Sequence, residues 1–313
     1  MKKRQKTDKA MIAVWTIFII LIIYSISLFF VLGWGFITSL KSDIEFGRIG
    51  NKVGFPTWGY SANEILFGNY LKVINNFELK VSANYYAFGD KKISTTRLVY
   101  FPDLLFNTLV YALGGAIIAA LVPCIMAYFC AKYKYKFSSL LYMLVIFVMI
   151  IPVVGTQPAT INLLRDTGLY DTFIGSYILK FSFQGTYFLI FFAFFEGLTD
   201  SYAEAAEIDG ATQFDILFRI TLPLVGKMIG TVILIQFIAL WDDYQTSNLY
   251  LPTHPTLAYG VYRMVYDSGS SKGFNAVPVK ISGCMLLVIP MLILFICLKD
   301  KIMGNVSMGG VKE

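Results

Sequence analysis

Histidine and cysteine are nearly missing from this chain: 313 residues hold one histidine and four cysteines. A catalytic imidazole or a histidine-rich metal centre therefore has almost nothing to be built from. His254 lies in Pro252-Thr253-His254-Pro255, with no serine or cysteine nucleophile and carboxylate recognisably arranged around it. The G-x-x-x-x-G-K-[ST] phosphate loop is also absent. Its nearest fragment, Gly226-Lys227-Met228, lacks the hydroxyl residue and the upstream glycine, so ATP is not expected to bind in that way. No catalytic residue, metal or other cofactor is expected. Charge is thin as well, at 15% of residues, and no basic face with interleaved aromatics offers itself to nucleic acid. The net charge of +6 is better assigned to lysines beside a membrane surface.

What the chain has in abundance is apolar surface. Hydrophobic side chains make up 57% of it and its mean hydropathy is +0.64, too apolar for an ordinary soluble domain. Residues 10–40 carry no charge. That run exceeds the roughly 20 residues needed to cross a hydrocarbon core, so it is expected to span rather than be removed as a signal. Five further spans are expected over about 104–130, 138–154, 173–195, 223–250 and 281–298. Cys124, Cys130, Cys284 and Cys297 all fall within them, where cysteine packs as a small apolar residue more readily than it pairs.

Six spans put both termini on one side. The cluster Lys2-Lys3-Arg4-Lys6-Lys9 and the short loop with Lys132, Lys134 and Lys136 assign that side to the cytoplasm. The expected fold is all-α, a polytopic membrane protein of six transmembrane helices. Its organisation is a cytoplasmic terminus and first span (1–40), an extracytoplasmic segment (41–103), a core of five spans (104–298) and a cytoplasmic tail (299–313). The segment 41–103, with the turn-prone Gly54-Phe55-Pro56-Thr57-Trp58-Gly59, is long enough to fold as a small cap. Pro123, Pro152 and Pro290 fall within spans, and each removes a backbone hydrogen bond. A moving hinge and a fixed kink are both open there.

Two carboxylates stand out in the fifth span. From Lys227 to Asp242 and Asp243 the run is uncharged and rises only about 22–24 Å, short of a roughly 30 Å core. Either both acids line a solute path, with Trp241 and Tyr244 offering ring contacts to a hydroxyl-rich solute, or the helix is tilted or shortened and they end it at the interface. Lys180, near the outer end of its span, is expected to snorkel to water. Asn107, Gln157, Gln184 and Gln236 read first as interhelical hydrogen-bond partners, and Asn107 is also a candidate for the path.

Between the fourth and fifth spans lies the compact polar run Glu204-Ala205-Ala206-x3-Gly210-x9-Ile220-x-Leu222-Pro223. Ser201 with Glu204 and Thr212 with Asp215 have capping-box spacing, predicting two short helices around a turn at Asp209-Gly210. Ala203, Ala206 and Gly210 fall at i, i+3 and i+7. They form a stripe of small side chains on which another chain can dock.

These residues match the cytoplasmic motif of membrane permease subunits of binding-protein-dependent ABC importers. The chain resembles that family's carbohydrate branch, in particular the smaller maltose-type permease. Further matches are Asn69-Tyr70, Asn107-Thr108-Leu109, Gly168-Leu169-Tyr170-Asp171-Thr172, Trp241-Asp242-Asp243-Tyr244 and Gly310-Val311-Lys312. The resemblance implies a coupling helix seated in a cleft of an ATPase subunit. Glu204, Ala205, Ala206, Asp209, Gly210, Ile220, Leu222 and Pro223 would form the docking motif, with Glu204 bonding across the interface and Gly210 setting the bend. It further implies two ATPase subunits, a second permease subunit, and an extracytoplasmic solute-binding protein. The loop at Asp267, Ser268, Gly269 and Ser270 would probe the last of these. The chain departs from the family by having Leu198-Thr199-Asp200 where a proline usually precedes the motif, and Trp241-Asp242 where Trp-Asn is usual.

The expected function is thus the permease subunit of an ATP-driven importer for a sugar or oligosaccharide, with hydrolysis in a separate chain. Permeases for amino acids, polyamines or phosphonates are the alternative within transport. A stand-alone ion-coupled carrier would need buried carboxylates in several spans and no docking module. A membrane enzyme would need a nucleophile or metal cluster that the sequence does not offer.

Overall fold

A computed structural model describes residues 2–57, 67–87, 91–133, 135–151, 154–266 and 274–306. Pro152, Lys134, Trp58, Gly59, the loop at Asp267 to Ser270 and Gly310-Val311-Lys312 lie outside the described residues. By its internal contacts the chain divides into two units, Met1–Phe77 with Met264–Val288, and Glu78–Arg263 with Ile289–Glu313.

In the first unit, α1 (Lys2–Ser39) is the long apolar helix expected at the start of the chain. Its C-terminal turn leaves carbonyls without helical partners. Asn69, from α2 (Gly68–Asn76), donates from Nδ2 to the carbonyls of Ser39 and Lys41, both at 2.8 Å, and the hydroxyls of Tyr70 and Ser39 lie 2.6 Å apart. The Asn69-Tyr70 pair thus ties α2 to the end of α1. Beyond α1 comes a π-helical turn, Ile44–Arg48. Glu45 is buried there, and its Oε1 accepts from Asn51 Nδ2 and the Thr57 amide, each at 2.7 Å. Lys41 is 1% exposed and donates to the Asn51 carbonyl at 2.8 Å. Burial pushes its ammonium below the usual range, against the pull of the Glu45 carboxylate. The knot closes the start of the segment 41–103, whose remainder from Glu78 belongs to the second unit.

The second unit begins with the one departure from an all-α chain among the described residues. Strands β1 (Glu78–Ala87) and β2 (Lys91–Tyr100) pair antiparallel, with Leu79 opposite Val99 and Val81 opposite Arg97. Leu79, Val81 and Val99 are buried while Lys80, Ser82 and Leu98 are exposed, the alternation of a half-buried strand. From β2 the chain enters α3 (Phe101–Lys132), the central helix of the unit. Its residues Ala112, Ala116, Ala120, Cys124 and Ala127 are all 0% exposed. Small side chains at near-fourfold spacing leave room for the Phe188, Phe191 and Phe195 rings of α7 (Thr186–Gly197). Val225, Ile229 and Val232 of α10 (Leu222–Trp241) fill the other side of the same core. Pro123 lies inside α3, and Pro290 inside α13 (Val277–Val306), without breaking either helix. Cys124 and Cys130 are buried, and none of the four cysteines forms a disulfide.

Among the described residues, four helical stretches are long and apolar enough to cross a membrane: Val14–Ser39, Phe101–Lys132, Gln213–Trp241 and Val277–Leu298. The apolar helices α4 (Lys136–Ile150) and α7 are shorter. Two expected spans are corrected. The run 173–195 is not one helix: α6 (Phe173–Lys180) stops, and α7 begins only at Thr186. Gly185 stands at φ 129°, outside the helical region, and the Gln184 amide turns to the Ser182 hydroxyl at 3.4 Å. Local side-chain bonding and a glycine thus displace the helix. The fifth expected span does not run to 250 but ends at Trp241. Asp243 caps a new helix, α11 (Tyr244–Tyr250), accepting the Thr246 amide at 2.9 Å.

Candidate functional site

The polar module after α7 consists of α8 (Ser201–Ile208), a turn, α9 (Gln213–Asp215), a π-helical turn (Ile216–Thr221) and the start of α10. The expected Ser201 and Glu204 box does not form. Asp200 is the N-cap, already near helical dihedrals at φ −74° and ψ −12°, so Ser201 is the first helical residue and its hydroxyl turns to Thr199 at 3.1 Å. Asp200 makes no side-chain cap either, because its carboxylate is held by Lys132 Nζ at 2.7 Å.

The end of α8 follows the glycine rule. Gly210 has φ +82°, and the amides of Gly210 and Ala211 donate to the carbonyls of Glu207 and Ala206 at 3.0 and 2.9 Å. This is a Schellman closure. Nothing lies within 4 Å of a Cβ built on Gly210, so the glycine is required by its dihedral and not by space. Gly210→Ala is accordingly expected to lower stability by only about 1–2 kcal/mol, the left-handed penalty alone, in a thermal melt of the purified protein. A larger loss would mean that the site is also crowded.

The second expected box is present. Thr212 Oγ1 accepts the Asp215 amide at 3.2 Å, and Asp215 Oδ2 accepts from the Thr212 amide at 3.2 Å and its hydroxyl at 2.6 Å. The Leu222 amide then bonds to Leu217, five residues back. This π register precedes Pro223, which has no amide to offer the ordinary ladder.

The small-residue stripe faces the wrong way for a partner. Ala206 is buried, Ala203 is half-buried in a groove shared with Tyr128 and Tyr133, and Gly210 lies beyond the helix. Small side chains here let α8 lie close on its own protein. What the module turns outward is large and apolar: Ile208 is 86% exposed, Phe214 73% and Phe218 56%, with Phe214 and Phe218 one helical turn apart. Glu204, Ala205, Asp209 and Pro223 are exposed beside them, while Ile220 and Leu222 are half-buried. Sequence reasoning missed Ile208, Phe214 and Phe218, although large apolar residues in an otherwise polar loop were a visible signal.

The second constellation is a knot in the span region. Asp243 Oδ2 accepts from Tyr111 at 2.7 Å and from Thr246 Oγ1 at 2.6 Å, and lies 3.6 Å from Lys180 Nζ. Lys180 therefore does not snorkel: the carboxylate and the Tyr111 ring, 5.9 Å from its nitrogen, hold it inward. Trp241 is 4% exposed and packs on Phe237, which removes it as a ring contact for a solute. Asn107 is buried and donates to the Pro255 carbonyl at 3.0 Å, away from the knot's bonds. Of the expected path residues, Asp242 is exposed, and Tyr244 is half-buried with its ring stacked on Tyr262 at 4.6 Å. His254 faces a structural carboxylate, Asp171, whose two oxygens accept from the Thr253 amide and hydroxyl at 3.0 and 2.6 Å.

Residues 119–306 match the family described as "Binding-protein-dependent transport system inner membrane component". The chain is 26% identical over 216 residues to the arabinooligosaccharides transport system permease protein AraQ of Bacillus subtilis, covering 68% of this chain and 74% of AraQ. It is 24% identical to the melibiose/raffinose/stachyose import permease protein MelC of the same organism, covering 66% and 74%. The putative ABC transporter permease protein ORF2 of Caldicellulosiruptor sp. is 26% identical over 260 residues, 80% and 86% of the two chains. A crystal structure of a bacterial ABC transporter involved in the import of the acidic polysaccharide alginate contains a chain of the same fold. Its TM-score is 0.67 at 21% identity, over 90% of this chain and 93% of that one.

Proposed function

The chain belongs to the binding-protein-dependent transport system inner membrane components, and on that premise we propose that it is the permease subunit of an ATP-driven importer for a sugar or oligosaccharide. The sugar class rests on relatives named for arabinooligosaccharides and for melibiose, raffinose and stachyose. It moves solute and carries out no chemistry on it. Hydrolysis takes place in two separate ATPase subunits, and the passage is completed by a second permease subunit and fed by an extracytoplasmic solute-binding protein. Asp267 to Ser270 remain the proposed loop for that last contact.

The observation that carries the reading is the outward face of the module, where Ile208, Phe214 and Phe218 stand exposed beside Glu204, Ala205 and Asp209. Apolar anchors rimmed by charge suit a cleft on a protein partner. Ala206 and Gly210 shape the module, and Ile220, Leu222 and Pro223 join it to α10. Both termini and this face lie in the cytoplasm. Six crossings are completed by α4 and by α6 with α7. Of the path candidates, Asp242 and Tyr244 keep a solute-facing role.

Ile208→Glu together with Phe214→Glu is expected to leave the chain in the membrane while reducing ATPase co-purification and solute uptake at least about tenfold, as loss of buried apolar anchors does at protein interfaces. Unchanged co-purification and uptake would overturn the docking assignment. Uptake and binding-protein assays across sugars, amino acids and polyamines decide the solute class.

A further inference from the structure

The end of α3 grips α8 at both of its ends. Lys132, the last residue of α3, has a side chain only 16% exposed, and its Nζ donates to the Leu198 carbonyl at 2.5 Å and to Asp200 Oδ1 at 2.7 Å. Those acceptors flank the start of α8. Tyr133, the next residue, donates to Gln213 Oε1 at 2.5 Å, and Gln213 Nε2 donates to Glu207 Oε1 at 2.6 Å, in the last turn of α8. The Tyr133 ring is itself fixed by Tyr128, Phe129 and Tyr135, at centroid distances of 6.1, 5.7 and 6.5 Å.

We propose that Lys132 and Tyr133 are positioning residues that brace α8 against α3, so that a displacement of α8 moves the central helix and is not absorbed by the 198–200 loop. The inference rests on the docking role assigned to α8. An eight-residue helix is marginal by itself, and this one has no side-chain cap at its start. A single support would let it pivot. Two supports, at Asp200 and Glu207, lie about 10 Å apart along the axis and remove that freedom. Their common origin is a helix that packs against α6, α7 and α10, which places the brace where motion is passed to the spans. The Lys132 ammonium reaches both a carbonyl and a carboxylate, a combination that needs several donors on one atom.

The test uses the fully assembled transporter in liposomes and reads ATP hydrolysed per solute moved. Lys132→Met is expected to assemble with its ATPase and hydrolyse ATP, but to spend about five times more ATP per solute. Tyr133→Phe, which removes one hydroxyl, is expected to raise the ratio about twofold, and the double variant more than either. Lys132→Arg, which keeps the donors, returns the ratio to within about twofold of the parent. A brace with no transmitting role would change the amount of protein and leave the ratio alone. An unchanged ratio in Tyr133→Phe and the double variant overturns the proposal, and if Lys132→Met does not accumulate, Tyr133→Phe decides alone. Should the variant with both Ile208→Glu and Phe214→Glu keep its ATPase, the docking role of α8 fails instead. Should it lose the ATPase while the brace variants keep the parent ratio, only the brace fails.

Discussion

Asp243→Ala is expected to lower the stability of the detergent-purified protein by about 3–5 kcal/mol, the range seen when one partner of a buried charge pair is removed. Three losses combine. The cap of α11 disappears with the Thr246 amide bond of 2.9 Å, about 1 kcal/mol by itself. The Tyr111 hydroxyl, on a side chain that is 0% exposed, loses the acceptor 2.7 Å away, and an orphaned buried donor costs about 1–3 kcal/mol. Lys180, 25% exposed, keeps its charge without the carboxylate 3.6 Å away. Asp243→Asn retains the cap and should cost about half as much. Lys180→Met should cost about 1–2 kcal/mol, because the carboxylate it leaves still accepts three charge-assisted hydrogen bonds. Thermal melts of the three variants rank them. Equal losses for Lys180→Met and Asp243→Ala would mean that the ion pair, and not the cap and hydroxyl, dominates the knot.

That knot also marks where the sequence stops being legible. The uncharged run ending at Trp241 left two readings of the acids open, and the expected span ran past them to about 250 although the helix stops at Trp241, because hydropathy and length are local properties that do not show the stop. Whether Asp243 faces solute or protein depends on Tyr111 and Lys180, from α3 and α6. No spacing along the chain encodes those contacts. The same holds for the broken fourth run. Its apolar content over 173–195 reads as one span, and only Ser182 and Gly185 betray the interruption. Strands β1 and β2 were readable in part: Leu79 and Val81 alternate with Lys80 and Ser82, but pairing Leu79 with Val99 is a long-range choice of register.

In the docking module the Thr212 box and the glycine closure at Gly210 were legible, since each uses residues within one turn. The Ser201 box was not, because Lys132, 68 residues away, engages Asp200 and shifts the start of the helix. The stripe of Ala203 and Ala206 was found but assigned to the wrong side. Small residues permit close approach without saying by whom. Here Tyr128 of the chain's own α3 and Thr221 of the π turn line the groove on that face, while Ile208, Phe214 and Phe218 stand exposed.

Gly175→Ala tests the packing that holds the second unit together, and it too is expected to cost about 3–5 kcal/mol. A Cβ on Gly175 would lie 2.1 Å from the Leu169 carbonyl oxygen and 3.2 Å from Thr172 Oγ1. The first obstacle is backbone, so no rotamer relieves it, and overpacking of this kind costs about 1–3 kcal/mol. Relief by moving the turn would break bonds that depend on it. Thr172 Oγ1 accepts the Gly175 amide at 3.0 Å and donates to Leu169 at 2.7 Å, a cap worth about 0.5–2 kcal/mol. Asp171, at φ 62°, ties the same turn to Thr253, and its amide donates to the Tyr250 carbonyl at 3.0 Å. The control is Gly226→Ala in α10, where nothing lies within 4 Å of the added carbon and helix propensity alone should raise stability by up to about 1 kcal/mol. A Gly175→Ala protein that melts with the parent would mean the Leu169 turn yields freely. It could not then be what fixes α6 beside Tyr250 and Thr253.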